Sequence, residues 1–357
     1  MSIKVPYIDL LKEMIAIPAT SRNEVQRAGF LEDFLKGMGH EVSRYHNNLL
    51  LGDPQKRNGK TTILLNSHMD TVAPVAGWET DPFQAVMEGK RIIGLGSNDA
   101  GASVVSMMAA YHEMADKIKD QINLLLLISA EEEISGAQGI ESLIPNFEKL
   151  DGVIVGEPTG MQPAVAERGL MVLDGTVKGV AGHAARKEGV NAIYKAMEDV
   201  QAIASLSFSE ESEWLPPAGA QVTIISAGTG HNVVPDLCKF VVDVRSNDQY
   251  GNEKMLEMIS AVCQGDIAAR STRLKPSLLG QDHFLMTAIR ERQLEPFGSS
   301  TMSDMALIPF PAVKMGPGDS ARSHTAGEYI LESELDEGVR GYCNFLNTLA
   351  EQVKQQQ

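Results

Sequence analysis

"TTILLNSHMDTV", residues 61–72, joins an unbroken apolar run to two titratable side chains, His68 and Asp70, set two apart where the run ends. Such a run reads as a strand covered on both faces, the kind found in parallel sheets. Two further runs repeat the design: "QINLLLLISA" (121–130) leads into "EEEISGA", and "LDGVIV" (150–155) leads into "GEPTG". The shorter "RII" (91–93) leads into "GLGSNDAG". Helical patterns separate these strands, in "YIDLLKEMIAI", "EVQRAGFLEDFLKGMGH" and "ASVVSMMAAYHEMA". Alternating helices and buried strands predict an α/β sheet, mixed but mostly parallel and covered by helices.

From about residue 165 the rhythm changes. "GLMVLDGTVKGV" alternates like a half-exposed strand, "GVNAIYKAMEDVQAIASL" is amphipathic, "AQVTIISAG" and "LCKFVVDVRSND" are strands, and "NEKMLEMISAVCQ" is a helix. With one more strand in "ARSTRLKPSLL", the order predicts a small α/β sandwich with an open edge that suits dimerisation. The first style returns in "HFLMTAIRERQ", "FPAVKMG" and a last helix, "SELDEGVRGYCNFLNTLAEQVKQ". The expected division is therefore a discontinuous domain, 1–164 and 275–357, holding an inserted one, 165–274.

The chain has 357 residues and a formal net charge of -16, which speaks against wrapping nucleic acid or coating an anionic membrane. No stretch approaches the roughly 20 apolar residues of a membrane span, and the first residues lack a signal pattern, so a cytoplasmic protein is expected. Cys238, Cys263 and Cys343 are scattered, so a metal would have to be held by His and carboxylate.

Ligands in open α/β sheets gather outside the carboxyl ends of the strands. Crowding Asp99, Glu131, Glu132, Glu133 and Glu157 at one such edge would raise their pKa values unless cations sat among them. His40, His46, His112, His231 and His283 match none of these strand-end segments.

These segments together resemble a family, the dinuclear-zinc aminoacylases and carboxypeptidases that include acetylornithine deacetylase, succinyl-diaminopimelate desuccinylase and several di- and tripeptidases. "SHMDTV" is similar to the family's H-x-D motif, which implies His68 as a metal ligand and Asp70 as its orienting partner. "GSNDAGAS" implies Asp99 as the carboxylate bridging both metals. "SAEEEISGA" resembles the T-A-D-E-E pattern, aligning Glu132 with the general base and Glu133 with a ligand, although three consecutive glutamates leave a one-residue ambiguity. "VGEPT" implies Glu157 as the remaining acidic ligand, of a type common in the deacylase branch, and "ARSHTAGEY" implies His324.

In the inserted domain, "KGVAGHAARKEG" resembles the stretch whose histidine stabilises the oxyanion in the partner subunit, implying His183, though the proline common after H-A is absent. "GHNVVPD" and "VDVRSND" imply Asn232 and Arg245 as substrate contacts, with Asp243 and Asp248 as competing partners for that arginine. "STMSDMA" and "GPGD" resemble a further active-site loop around Ser303, Asp304 and Gly316 to Gly318.

The resemblance thus implies a zinc-peptidase-like catalytic domain with an inserted ferredoxin-like dimerisation domain and a homodimer. It also implies two divalent metal ions, zinc with cobalt as the alternative; the net charge and the lack of an apolar span leave no nucleic-acid or membrane partner expected. The expected reaction is hydrolysis of an N-acyl amino acid (acetylornithine, acetylcitrulline or a succinyl analogue) in arginine or lysine biosynthesis. The basic loop with Arg186 and Lys187 is a candidate for meeting an acyl group that ends in a carboxylate. A metallo-dipeptidase or aminopeptidase is the alternative, and a catalytically silent binding protein a third reading.

Overall fold

The structure, a computed structural model, describes residues 6–55 and 59–356. The chain divides into two units, 1–165 with 279–297 and 303–357, and 166–278 with 298–302. The second thus takes in a short return segment, 298–302, that the sequence reading leaves with the flanking chain.

The first unit is organised on a sheet whose order runs Val42–Tyr45, Asn48–Leu51, Ile122–Ser129, Thr61–His68, Gly152–Val155, Ala312–Lys314. Thr61–His68 pairs in parallel with Ile122–Ser129 and Gly152–Val155, and the latter in parallel with Ala312–Lys314. Antiparallel pairing flanks this parallel centre, at the edge built by the hairpin Val42–Tyr45 and Asn48–Leu51 and again where Lys314 meets Ala164. The continuous apolar runs follow from burial on both faces. Leu50, Leu64, Leu125, Leu127 and Val153 pack with Ile140, Leu143 and Phe147, while the helix Ala102–Ile118 packs against the two central strands. Each fully buried leucine contributes about 1.5–3 kcal/mol over exposure. The sheet's parallel centre brings the carboxyl ends of three ligand-bearing strands to one edge: His68 stands opposite Ser129, and Asn66 opposite Val155.

A separate three-stranded sheet, Tyr329–Leu331, Arg91–Ile93, Val86–Glu88, leads the chain into the Ser97–Gly101 turn on one side and away from His324 on the other. Gly96, at φ +76°, makes the bend into that turn, and an added Cβ there would strike the Thr71 methyl. The long helix Glu332–Gln356 packs on Ala102–Ile118. Among the described residues, no helix is long and apolar enough to cross a membrane.

The second unit is a four-stranded antiparallel sheet ordered Gly219–Ala227, Leu237–Ser246, Gly169–Lys178, Asp266–Ala269. Helices Ala192–Ala204 and Asn252–Val262 complete a βαββαβ order, the ferredoxin-like arrangement. Along Gly169–Lys178 buried and half-buried residues alternate, and Met171, Leu173, Val177, Phe240 and Val242 form its core with Ala196 and Met255. Phe240 lies opposite Gly175 and its ring fills the space a side chain would take there. The fourth strand corrects the sequence reading: it is Asp266–Ala269, which reaches only the first residue of "ARSTRLKPSLL", within which Ser277 and Leu278 instead pair with Glu167 and Ala166.

Candidate metal centre and active site

His68 ends its strand only 1% exposed. Its Nδ1–H donates to the main-chain carbonyl of Asp70 at 3.0 Å, with the Asp70 carboxylate next at 3.5 Å. A carbonyl only accepts, so Nδ1 carries the hydrogen and Nε2 presents its lone pair. That lone pair faces carboxylate oxygens: Asp99 Oδ1 at 3.3 Å, Glu157 Oε1 at 3.6 Å and Glu132 Oε2 at 4.0 Å. Acceptors in such an arrangement require a proton or a cation between them. In the metal-free protein burial alone would depress the imidazole, but hydrogen bonds to Asp70 and Asp99 and the charges of Glu132 and Glu157 outweigh it and raise its pKa well above the usual value.

Asp99 lies in the Ser97–Gly101 turn, which includes a cis peptide between Asp99 and Ala100. Its second oxygen, Oδ2, is 3.7 Å from His324 Nε2, and that nitrogen is 2.9 Å from Glu133 Oε2. Asp99 thus offers one oxygen to each histidine. His68 with Asp99 and Glu133, and His68 with Glu132 and Glu157, have atoms close enough to hold a metal ion. The hydrogen bond His324 donates to Glu133, with help from Asp99 and Glu328, raises its imidazole to about 9 in the metal-free state. Burial, then crowding by Glu157, Asp304 and Glu133, pushes Glu132 well above the carboxylate range; Glu157 is raised by burial and by Asp99 and Glu133.

The three consecutive glutamates part company. Glu132 and Glu133 open a single 3₁₀ turn, and their amides donate to Asp70 at 3.1 and 3.2 Å. Asp70 also accepts from Ser21 Oγ at 2.7 Å, so one buried carboxylate fixes His68 and the glutamate turn together. Glu131 sits in left-handed backbone and folds its carboxylate back toward Gln138 N, in space that a side chain at Gly136 would occupy.

Three contributors lay outside the sequence reading. Glu328 is buried and its carboxylate accepts from the amides of Gly96, Asn98 and Asp99. Burial drives it up to about 7 against the pull of those amides. Arg27 is buried on the apolar stripe of Val25–Gly37 with Leu31 and Leu35, and donates to Met69 O at 2.6 Å. Glu24 accepts from the Glu131 amide at 3.2 Å. A cation at helical spacing from two leucines was the signal for Arg27. Asp304, from the "STMSDMA" loop, lies buried behind the site and accepts from Asn66 Nδ2 and Ser129 Oγ. The carbonyls of Gly316 and Gly318 accept from the amides of Thr159 and Gly160, next to Glu157.

His183, Asn232 and Arg245 belong to the second unit. His183 Nδ1 accepts from the Ala185 amide at 3.2 Å, which leaves Nε2 as the donor of the neutral ring. The Asn232 carbonyl accepts from Ala184 N, so this asparagine lies beside the His183 turn. Arg245 is forked onto Asp243 at 2.7 and 3.0 Å, the pairing that competes with substrate contact.

Known proteins resemble the chain in sequence and in fold. The chain is 27% identical to succinyl-diaminopimelate desuccinylase 2 of Ruegeria sp. over 71% of its length and 68% of that protein's. It is 29% identical to succinyl-diaminopimelate desuccinylase of Gluconobacter oxydans over 71% and 70%. Its fold superposes on aminopeptidase PepT from Bacillus cereus with a TM-score of 0.77 at 20% identity, covering 98% and 99% of the two chains. It superposes on a dinuclear metal binding peptidase of Bacillus subtilis with a TM-score of 0.70 at 15% identity, covering 98% of each. The sequence model of peptidase family M20/M25/M40 matches residues 64–348, and the chain belongs to that family, as a metal-dependent amidohydrolase.

Proposed function

We propose that the protein hydrolyses the amide of an N-acyl amino acid, with two zinc ions held by His68, Asp99 and Glu157 on one side and by Asp99, Glu133 and His324 on the other. The observation that carries this reading is Asp99, whose two oxygens face two histidines, each with a further carboxylate beside it. The donor set fits divalent cations: three carboxylates and two imidazoles are the ligands zinc and cobalt accept, and without a cation their mutual repulsion is uncompensated. Bound zinc would lower the pKa of a water molecule toward neutrality and polarise the carbonyl to be attacked.

The remaining chemistry falls to the chain. Glu132, its carboxyl held well above the ordinary carboxylate value by burial, would accept the proton of the attacking water and pass it to the leaving amine. Asp70 would keep His68 and the Glu132 turn in register through its carbonyl and carboxylate. His183 would donate from Nε2 to the carbonyl oxygen as it gains charge, reaching the site of a partner subunit. Asn232 would contact substrate, and Arg245 would do so only by releasing Asp243.

The exposed apolar residues of the second unit support a homodimer. Its edge strand Gly219–Ala227 exposes Ile224 at 59%, and helix Ala192–Ala204 exposes Tyr194 at 69%. The named relatives favour a succinylated substrate of lysine biosynthesis over an acetylated one of arginine biosynthesis. The deciding experiment is a hydrolysis panel on zinc-loaded protein: succinyl and acetyl derivatives of diaminopimelate, ornithine, citrulline and lysine, run beside free di- and tripeptides. Turnover of an acyl amino acid well above any peptide is expected; peptide turnover alone would transfer the assignment to a metallopeptidase.

A further inference from the structure

We infer that Glu328, with Arg27 beside it, is a positioning residue for the metal ligands: Glu328 fixes the turn that carries Asp99, and Arg27 fixes the segment between His68 and Asp70. This rests on the reading of Asp99 as the shared ligand.

Glu328 Oε1 accepts from the amides of Asn98 and Asp99 at 2.8 and 2.9 Å, and Oε2 from that of Gly96 at 2.9 Å. Its own carbonyl takes the Gly94 amide at 3.0 Å. One side chain therefore binds the entry and the middle of the turn from which Asp99 faces both histidines. A carboxylate buried to 2% exposure is costly to desolvate, and three amide donors are what make it tolerable there. The same donors would be left unpaired if the carboxylate were removed.

Arg27 completes the support. Nη1 donates to the carbonyl of Met69, the residue between His68 and Asp70, while Nε and Nη2 grip the Ile17 carbonyl. Its charge lies within electrostatic reach of Asp70, Glu328 and Glu24. These bonds to carbonyls leave the ligand carboxylates free of the guanidinium. The two ligand-bearing segments, which meet at the 3.3 Å approach of His68 to Asp99, are thus each held from behind by one member of an opposite-charge pair.

The test is zinc affinity, measured by competition with a chromophoric chelator on metal-stripped protein, with thermal unfolding of the same samples. Glu328→Gln keeps the shape but presents an NH2 group where one oxygen accepted. It is expected to remain folded and to bind zinc about 10–100-fold more weakly, the usual cost of losing a group that orients a ligand. Glu337→Gln, an exposed glutamate on the last helix, should bind as the wild type does. Wild-type zinc affinity in folded Glu328→Gln overturns the inference. If that variant does not fold, Arg27→Lys decides, since it keeps the charge and loses the fork: weakened zinc binding supports the role and unchanged binding overturns it. A wild-type protein that binds zinc but hydrolyses no acyl amino acid would overturn the substrate reading and leave this one standing; one that takes up no zinc would overturn both.

Discussion

The two histidines of the centre are held in opposite ways. His68 is 1% exposed at the end of a central strand, its ring fixed by the Asp70 carbonyl, while the His324 side chain is 53% exposed on a loop in left-handed backbone. One half of the site is part of the core and the other is laid against it, with Asp99 common to both. Ligands in the sheet are preorganised by packing, whereas ligands on loops are ordered in part by what they bind. The two half-sites should therefore differ in how much each depends on metal for its form.

His68→Ala tests the comparison most severely. It removes a proposed ligand and opens a cavity beneath buried carboxylates, so zinc content, turnover and thermal stability should all fall together; a variant that kept two zinc ions would break the comparison outright. Glu132→Ala lies beside the same buried half yet should separate those effects. Turnover should drop about 10²–10⁴-fold while zinc content, measured by elemental analysis, stays at the wild-type level. Loss of zinc instead would mean that Glu132 is the ligand and the glutamates are shifted by one. His183→Ala should lower kcat about 100-fold with metal content intact. His324→Ala should cost one zinc equivalent and leave the melting temperature of the metal-free protein nearly unchanged, in contrast to His68→Ala.

The buried carboxyl of Asp304 supplies a contrast in stability alone. Burial raises its carboxyl from the ordinary value of 3.8 to about 6. Held more tightly by the folded state, that proton adds stability that is fully present below the unfolded value and is lost as pH rises through about 6. The metal-free wild type should thus weaken between pH 4 and 6 by up to about 3 kcal/mol from this group. Asp304→Asn should flatten that portion of the curve, as thermal unfolding in chelator at pH 4.5 and 7.5 would register.

The sheet's strands and helices were legible because burial on two faces writes an unbroken apolar run, and burial on one face writes a period. Asp266–Ala269 was missed because only four residues alternate there, too few for a pattern. The family motifs predicted which strand ends would meet, and His68, Asp99, Glu133, Glu157 and His324 do gather at one sheet edge. Helical spacing could place Arg27 in the core but not its bonds, and Glu328 left almost no trace, since both act on main-chain groups about 40 and more than 200 residues away that no local spacing encodes. Arg245 is the reverse case: Asp243 stands two residues earlier on the same strand face, and the pairing was readable in "VDVRSND".

The antiparallel pairing of Ala166 with Leu278 bears on how the centre is assembled. Glu133 and His324 are 191 residues apart, a separation that makes for slow, long-range folding. If the inserted unit folds first, its two ends are already at strand-pair distance, and an intervening stretch of about 110 residues becomes a short link for the flanking chain. By loop-closure entropy, cutting the effective separation of Glu133 and His324 to about 80 residues eases their meeting by on the order of 1 kcal/mol. The inserted unit would then act during folding as a clasp, and substitutions that loosen its core should delay zinc uptake on refolding more than they weaken zinc binding at equilibrium.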